Sequence, residues 1–452
     1  MYSKLGVNLF STGIIALIKF LELRYLSIQL SEYELGVYAI LAVYISISQM
    51  IVEMGIQNAV YSIKSIAKIN SDLIVIGWIK ALSYVLILSL LILFNDKYEL
   101  IDISNFTHVF YAALLIVLII SPIRYVRNSI ISSGGVKEIA VLEFVSSIVA
   151  FSFFYFYIKE IGLIAVVISM LIKSTIEAVY YYTYSIRRYG FKLSLRWSYL
   201  KDTITIGTWD SASQLLNILS KEVDTFIIVS RLGYEVVGVY GIIKQFLTRL
   251  IRIFIPPINN VFYQYISPRN SLLNNAIKLH RKVVWLAVLL LFSIVSSTST
   301  FWLDYFLQIP SKTVSQWLNM LIIGVALRAL WGGVAPYILS FGITKRAFYL
   351  NLLVFFIIVP TYQVFGMSIT GFVAIYLIQV LILITLGWYV YYRQHLDLTQ
   401  YYIPVVSVIL ILYSIEYLPI IFDLLLVLLV VVYIAFDVVN TVRGNEYFET
   451  KG

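Results

Sequence analysis

Apolar runs of about 20 residues follow one another along almost the whole chain, each long enough to cross a hydrocarbon core of about 30 Å. No other feature constrains the fold as tightly. Inside lipid every backbone N–H and C=O must be satisfied internally, so only helices or closed barrels span it. Runs of this length fit helices, since a membrane strand needs only about ten residues. Fourteen spans are expected, at about 6–29, 36–62, 73–94, 106–128, 139–158, 162–185, 205–230, 236–264, 282–307, 315–340, 347–366, 370–392, 401–417 and 419–440. With 61% of its 452 residues hydrophobic and 13% charged, the chain is too apolar for a soluble protein of its size. The expected fold class is an all-α polytopic membrane protein. No long polar segment is left for a soluble catalytic or nucleic-acid-binding domain. The first span carries Lys19, Glu22 and Arg24, so it reads as a retained span and not as a cleaved signal peptide.

Several chemistries drop out at once. The chain has no Cys, which removes disulfides, thiol catalysis and thiolate metal sites. Its three His residues, His108, His280 and His395, show no paired spacing of the kind a metal centre uses. Neither a metal nor a cofactor is expected. The net charge of +9 follows from cations gathered in one set of loops. About twenty Lys and Arg fall in the loops that join even to odd spans and in the termini, among them Lys64, Lys68, Arg124, Arg127, Lys137, Arg187, Arg188 and Arg269. The opposite loops hold Lys97, Lys159, Arg231 and Lys312. Both termini are therefore expected in the cytoplasm.

The chain also repeats itself. Slid forward by 202 positions, its first 65 residues fall into register with Ser211–Tyr263 and the helix before it. Leu30-Ser-Glu-Tyr-Glu-Leu-Gly36-Val-Tyr38 lies over Leu232-Gly-Tyr-Glu-Val-Val-Gly238-Val-Tyr240, Asn58 over Asn260 and Tyr61 over Tyr263. Polar residues inside the apolar spans match too: Asn8, Ser11, Thr12, Lys19 and Glu22 lie over Asp210, Ser213, Gln214, Lys221 and Asp224. At 100° per residue they occupy an arc of roughly 100° on one helical face. Such a stripe, present twice at one depth, reads as the lining of a transport path. An even number of spans separates the two copies, so they run the same way through the membrane, as parallel repeats. Gly134-Gly-Val-Lys137 echoes Gly342-Ile-Thr-Lys345 more faintly. The expected organisation is an N-terminal lobe (1–186), a basic connector (187–204), a C-terminal lobe (205–395) and two appended spans with a tail (396–452). The connector, Ile186–Asp202, is expected as a helix or loop against anionic headgroups.

Nine Lys and Arg fall within spans: Lys19, Arg24, Lys80, Lys173, Lys221, Lys244, Arg249, Arg252 and Arg328. A charge at the bilayer centre costs roughly 2.5–3.5 kcal/mol on insertion scales, so each needs a partner or water. Arg24 and Lys80 lie near enough to span ends to snorkel, and Lys173 stands four residues before Glu177, where the two can neutralise each other. Lys244, Arg249 and Arg252 project within an arc of roughly 140° of one helix, beside Gln245 and Thr248. Arg328, followed by Trp331-Gly-Gly333, adds a cation from span ten. Lys19, Arg24, Lys221, Lys244, Arg249, Arg252 and Arg328 are thus the candidate cavity cations, suited to an anionic visitor. The acids Glu22, Glu53, Asp210 and Asp224 are candidates to pair with them or to carry protons. Pro256-Pro257 is expected to break the eighth span. Aromatic runs such as Tyr180-Tyr-Tyr182 read as interfacial belt.

The polar residues of the first span, Leu-(x)5-Gly-Val-Tyr at Leu30–Tyr38 and Lys-Glu-Val-Asp-(x)7-Leu-(x)5-Gly-Val-Tyr at Lys221–Tyr240 together carry a resemblance. Over about residues 1–395 the chain is similar to the polysaccharide transporter branch of the multidrug/oligosaccharidyl-lipid/polysaccharide exporter superfamily, above all to O-antigen or capsule repeat-unit flippases. The resemblance implies two six-helix lobes around a cationic cavity and alternating access that moves undecaprenyl-pyrophosphate-linked oligosaccharide between leaflets of the bacterial inner membrane. It implies a lipid-linked substrate and membrane lipids as partners, with a polysaccharide polymerase and a chain-length regulator alongside. From lipid II flippases it carries over Arg24 with Arg249 or Arg252 at the pyrophosphate. Tyr25 stands where those relatives place an acid after the arginine.

Two rivals are weighed against this. A cation-coupled drug exporter of the same fold would show fewer cavity cations and more acids. A membrane-embedded polymerase or glycosyltransferase needs catalytic residues on a sizeable extracytoplasmic loop, and the longest here is about Asn95–Asn105, with Asp96, Glu99 and Asp102.

Overall fold

The computed structural model describes residues 2–53, 70–98, 107–132, 135–190, 197–263, parts of 279–299, 301–332, 344–366 and 368–392. Among them lie twelve α-helices, one π-helical turn (Phe301–Leu307) and no strand. The helices are α1 (Tyr2–Gln29), α2 (Glu32–Glu53), α3 (Asn70–Tyr98), α4 (Thr107–Ile120), α5 (Tyr125–Ser132), α6 (Val136–Ile161), α7 (Leu163–Tyr189), α8 (Trp197–Leu232), α9 (Tyr234–Tyr263), α10 (Ser311–Gly332), α11 (Thr344–Phe365) and α12 (Ile369–Tyr392). Six segments among the described residues are long and apolar enough to cross a membrane, including Glu32–Glu53, Thr107–Ile130 and Leu163–Tyr189. The chain is an all-helical, multi-pass membrane protein. The two spans expected within 396–452 lie outside the described residues.

Three helix boundaries depart from expectation, each for a physical reason. The fourth span is not one helix: Pro122, without an N–H to donate, interrupts it, and a tight turn over 121–124 separates α4 from α5. Gly77 of α3 faces that turn so closely that an added Cβ would lie 2.8 Å from the carbonyl oxygen of Pro122. The connector resolves partly into helix, because α8 begins at Trp197 and runs 36 residues. At 1.5 Å per residue that is about 54 Å, well beyond a hydrocarbon core. Conversely, Pro256-Pro257 does not end its helix, since α9 continues to Tyr263. A proline removes one donor and bends a helix, and the rest of the ladder holds it together.

Two compact units emerge, one comprising Leu17–Ile242 and the other Met1–Ala16 with Ile243–Gly452. In the first, α6 and α7 form an antiparallel hairpin closed by Gly162 alone, whose φ of 53° is the left-handed conformation that glycine adopts without penalty. The hairpin packs on α4, which in turn meets α2 and α3, and α2 lies along α8. Tyr181 is buried in the apolar cluster of Leu73, Ile123, Tyr125 and Ala178, so this tyrosine belongs to the interior and not to an interfacial belt. In the second unit α12 packs between α10 and α11. Phe246 of α9 meets Trp302 of the π-helical turn at 5.3 Å between ring centroids.

Candidate functional site

The two copies of the repeat meet in the first unit. Ser31 and Glu34 close the start of α2 as a capping box: the Glu34 carboxylate accepts the Ser31 backbone N–H at 2.9 Å, and the Glu34 N–H reaches the Ser31 hydroxyl at 3.3 Å. The equivalent turn into α9 uses Gly233 at φ 88°. Just beyond, the helices cross at backbone contact. A Cβ on Gly36 would lie 2.1 Å from the carbonyl oxygen of Tyr234, and a Cβ on Gly238 would lie 2.1 Å from that of Glu32. Gly36 and Gly238 are repeat equivalents, as are Glu32 and Tyr234, so the contact is reciprocal in the manner of a two-fold interface. Ala39 meets its own equivalent, Gly241, where an added Cβ would fall 2.8 Å from the Ala39 Cβ. The pseudo-two-fold axis passes there. The Tyr33 and Tyr234 rings flank the crossing, 5.0 Å apart.

The described members of the polar stripe lie on α1 and α8. Lys19 is ion-paired with Glu22, and the Glu22 side chain is almost wholly buried. On α8 the Lys221 ammonium lies 3.1 Å from Glu222, its neighbour in the Lys-Glu-Val-Asp motif. Asp224 takes a different partner. Its carboxylate accepts the Tyr240 hydroxyl, and it receives the Thr225 backbone N–H at 2.7 Å. Asp224 and Tyr240 are fully buried, and so is Tyr38, the equivalent of Tyr240. Ser211, Ser213 and Ser220 are buried as well. Arg24 is half-buried. Tyr25 packs edge-on against Tyr155 of α6, with 4.9 Å between ring centroids. The side chains of Asn8, Ser11, Thr12 and Asp210 lie outside the described residues.

The other candidate cations belong to the second unit and differ from one another. The buried Lys244 ammonium sits over the Tyr376 ring, 5.8 Å from its centroid. Arg249 is half-buried and donates to Gln245 at 3.4 Å. Arg252, one turn further, is exposed. Arg328 is half-buried on α10.

A charged cluster that the sequence reading assigned to a loop lies inside the first unit. The turn at Pro122 carries Arg124 against α2, where one guanidinium nitrogen donates to Gln49 at 2.9 Å and to Glu53 at 3.1 Å. Glu53 is thus held by a cation of the fourth span. Arg127 donates to Glu143 of α6 at 2.7 Å. Ser146 donates to Glu177 of α7 at 3.1 Å, and Lys173 approaches Glu177 at 3.7 Å, the neutralising pair that the i,i+4 spacing indicated. Pro122, followed two residues later by an arginine, was the available signal. Among the described residues no group of three His or carboxylate side chains is placed to hold a metal.

A matching family model and the fold shared with solved structures place the chain in the multidrug/oligosaccharidyl-lipid/polysaccharide exporter superfamily. The MATE transporter VcmN from Vibrio cholerae is 15% identical with a TM-score of 0.60, over 87% of this chain and 95% of that one. An outward-facing multidrug resistance MATE family transporter is 14% identical with a TM-score of 0.63, over 86% and 94%. The lipid II flippase MurJ, in an inward closed conformation, is 14% identical with a TM-score of 0.54, over 96% of both chains. The family model described as polysaccharide biosynthesis protein matches residues 2–269, and the chain belongs to that family. No curated protein sequence matches it.

Proposed function

We propose that the protein is a flippase for lipid-linked saccharide repeat units, carrying undecaprenyl-pyrophosphate-linked oligosaccharide from the cytoplasmic to the periplasmic leaflet by alternating access. The observation that carries this reading is the reciprocal Gly36–Tyr234 and Gly238–Glu32 crossing, with a polar stripe repeated on α1 and α8. An internal two-fold that closes at one end is what a two-lobed carrier needs, and the family's role in polysaccharide biosynthesis supplies the substrate class. With both termini in the cytoplasm, as the Lys and Arg distribution favours, the crossing lies on the periplasmic side. Its parting opens the path outward.

In this mechanism the cations Lys19, Arg24, Lys221, Arg249, Arg252 and Arg328 meet the diphosphate in turn, while hydroxyl groups solvate the sugars and the polyprenyl tail stays in lipid. No bond is made or broken. An inside-negative potential drives a multiply charged anion outward by about 2.3 kcal/mol per charge per 100 mV. Deleting the protein should trap lipid-linked repeat units on the cytoplasmic leaflet, measured by leaflet-specific accessibility of the saccharide. Arg252→Ala should do the same while still inserting. Unchanged flipping in the deletion strain refutes the function. A protein that instead expels cationic drugs belongs with the drug exporters.

A further inference from the structure

We infer that Arg124, seconded by Arg127, forms a binding position for a phosphate group carried on a lipid, at the seam of α2 with the α4–α5 turn. The break at Pro122 places the two arginines three residues apart on one turn, and both side chains stay about one-third exposed, at 37% and 33%. Arg124 is gripped from behind. Its one hydrogen-bonding nitrogen, Nη1, is held by Gln49 and by Glu53, whose side chain is 5% exposed. That grip occupies Nη1, and the partly exposed side chain keeps Nε and Nη2 as its second donor edge. A fixed planar fork with a free edge is the geometry that takes two phosphate oxygens at once.

A second observation points the same way. The Tyr181 hydroxyl is buried with no hydrogen-bond partner, yet it lies within electrostatic range of Arg124, Arg127, Glu143 and Glu177. A buried orphan hydroxyl is costly, and its place near these charges leaves unused hydrogen-bonding capacity beside the arginines. The balance of charge selects an anion. Lys80, Arg124, Arg127 and Lys173 stand against Glu53, Glu143 and Glu177. At the ends of α6 and α7 Lys137, Arg187 and Arg188 are exposed, with the exposed Glu138 beside Lys137, so cations still outnumber acids. The phosphate can come from the transported lipid or from a resident anionic phospholipid headgroup; the chemistry is shared.

Arg124→Lys separates this from a purely structural salt bridge, because a lysine keeps the charge facing Glu53 but has no second edge. The full chain, purified with phosphatidylglycerol, phosphatidylcholine or undecaprenyl diphosphate, is examined by native mass spectrometry for retained lipid and by thermal unfolding. In Arg124→Lys, anionic lipid retention should weaken about tenfold with the unfolding midpoint held. A loss confined to undecaprenyl diphosphate identifies the transported lipid, and a loss confined to phosphatidylglycerol identifies the headgroup. Arg124→Gln/Glu53→Gln, which neutralises both partners, should show the same loss if Arg124→Lys does not fold. Retention unchanged in the folded variants, or reduced equally by Lys159→Gln, an exposed cation outside the cluster, overturns the site. A protein that holds phosphatidylglycerol through Arg124 yet flips nothing would leave this site standing and remove the flippase.

Discussion

The crossing of α2 and α9 can be tested by adding one methyl group to each side. In Gly36→Ala the new carbon would lie 2.1 Å from the Tyr234 carbonyl oxygen, and in Gly238→Ala it would lie 2.1 Å from that of Glu32. Carbon and carbonyl oxygen ordinarily approach to about 3.3 Å, so the two backbones must part by more than about 1 Å. Overpacking of this kind costs about 1–3 kcal/mol. The two methyls strain one contact and will not add in full. Taking about 2 kcal/mol, the closed crossing loses roughly 30-fold in population. Alanine is by itself the better helix former by about 1 kcal/mol, so the variant helices do not fail on their own account. Because the chain has no Cys, Tyr33→Cys/Tyr234→Cys introduces the only thiols, where the native rings lie 5.0 Å apart. Cross-linking with a short bifunctional thiol reagent should be fast in this background and should slow by the stated factor when both alanines are added. Gly13→Ala is the control, since a methyl there meets nothing within 4 Å. Undiminished cross-linking in the double-alanine protein refutes backbone contact at the glycines.

Three further outcomes are expected. Asp224→Asn and Tyr240→Phe should each lower the unfolding midpoint, with a coupling of about 1–3 kcal/mol in a double-mutant cycle, and strict additivity would show that the buried hydrogen bond contributes nothing. Lys244→Met should alter stability, because the ammonium is enclosed over Tyr376, whereas Arg252→Gln should abolish flipping at an unchanged midpoint; the opposite pattern would exchange their assignments. Gly77→Val should destabilise by about 1–3 kcal/mol, because its side chain would run into the Pro122 backbone, and a neutral result would mean that α3 can slide away from the turn.

How much of this could be read beforehand depended on how far each feature's cause lay along the chain. Apolar runs are local, and lipid leaves the backbone inside them little choice, so helices and multi-pass class were legible. The repeat was legible because Gly36 and Gly238, or Glu22 and Asp224, can be matched by sliding. Its consequence is legible too: residues near a two-fold axis meet their own equivalents, so a paired glycine three residues before a matched Ala39–Gly241 forecasts a close crossing. Ser31-Glu-Tyr-Glu34 likewise announced its capping box. Proline was over-read at Pro256-Pro257 and under-read at Pro122. Both sit in apolar surroundings, and whether a helix bends or divides is decided by what packs against it, which for Pro122 is Gly77.

Charges were the least legible, because a Coulomb partner is set by tertiary adjacency. Arg124 looked like one more loop cation, yet its acid, Glu53, lies 71 residues away on α2. Three of the four acids offered as one class show the same limit. Glu22 sits beside a lysine on its own helix, Glu53 against an arginine from another span, and Asp224 against a phenol and a backbone amide. An acid facing a cation is neutralised in place and loses its pairing if protonated. An acid held by hydroxyl and amide donors ties packed elements together, as Asp224 ties α8 to α9 through Tyr240. A carrier that moves a diphosphate needs cations with spare reach, and acids of the first kind restrain them. Removing Glu53 should therefore loosen Arg124, whereas removing Asp224 should loosen the α8–α9 packing at Tyr240. Acids that look alike in the sequence thus perform different tasks, and only the fold distinguishes them.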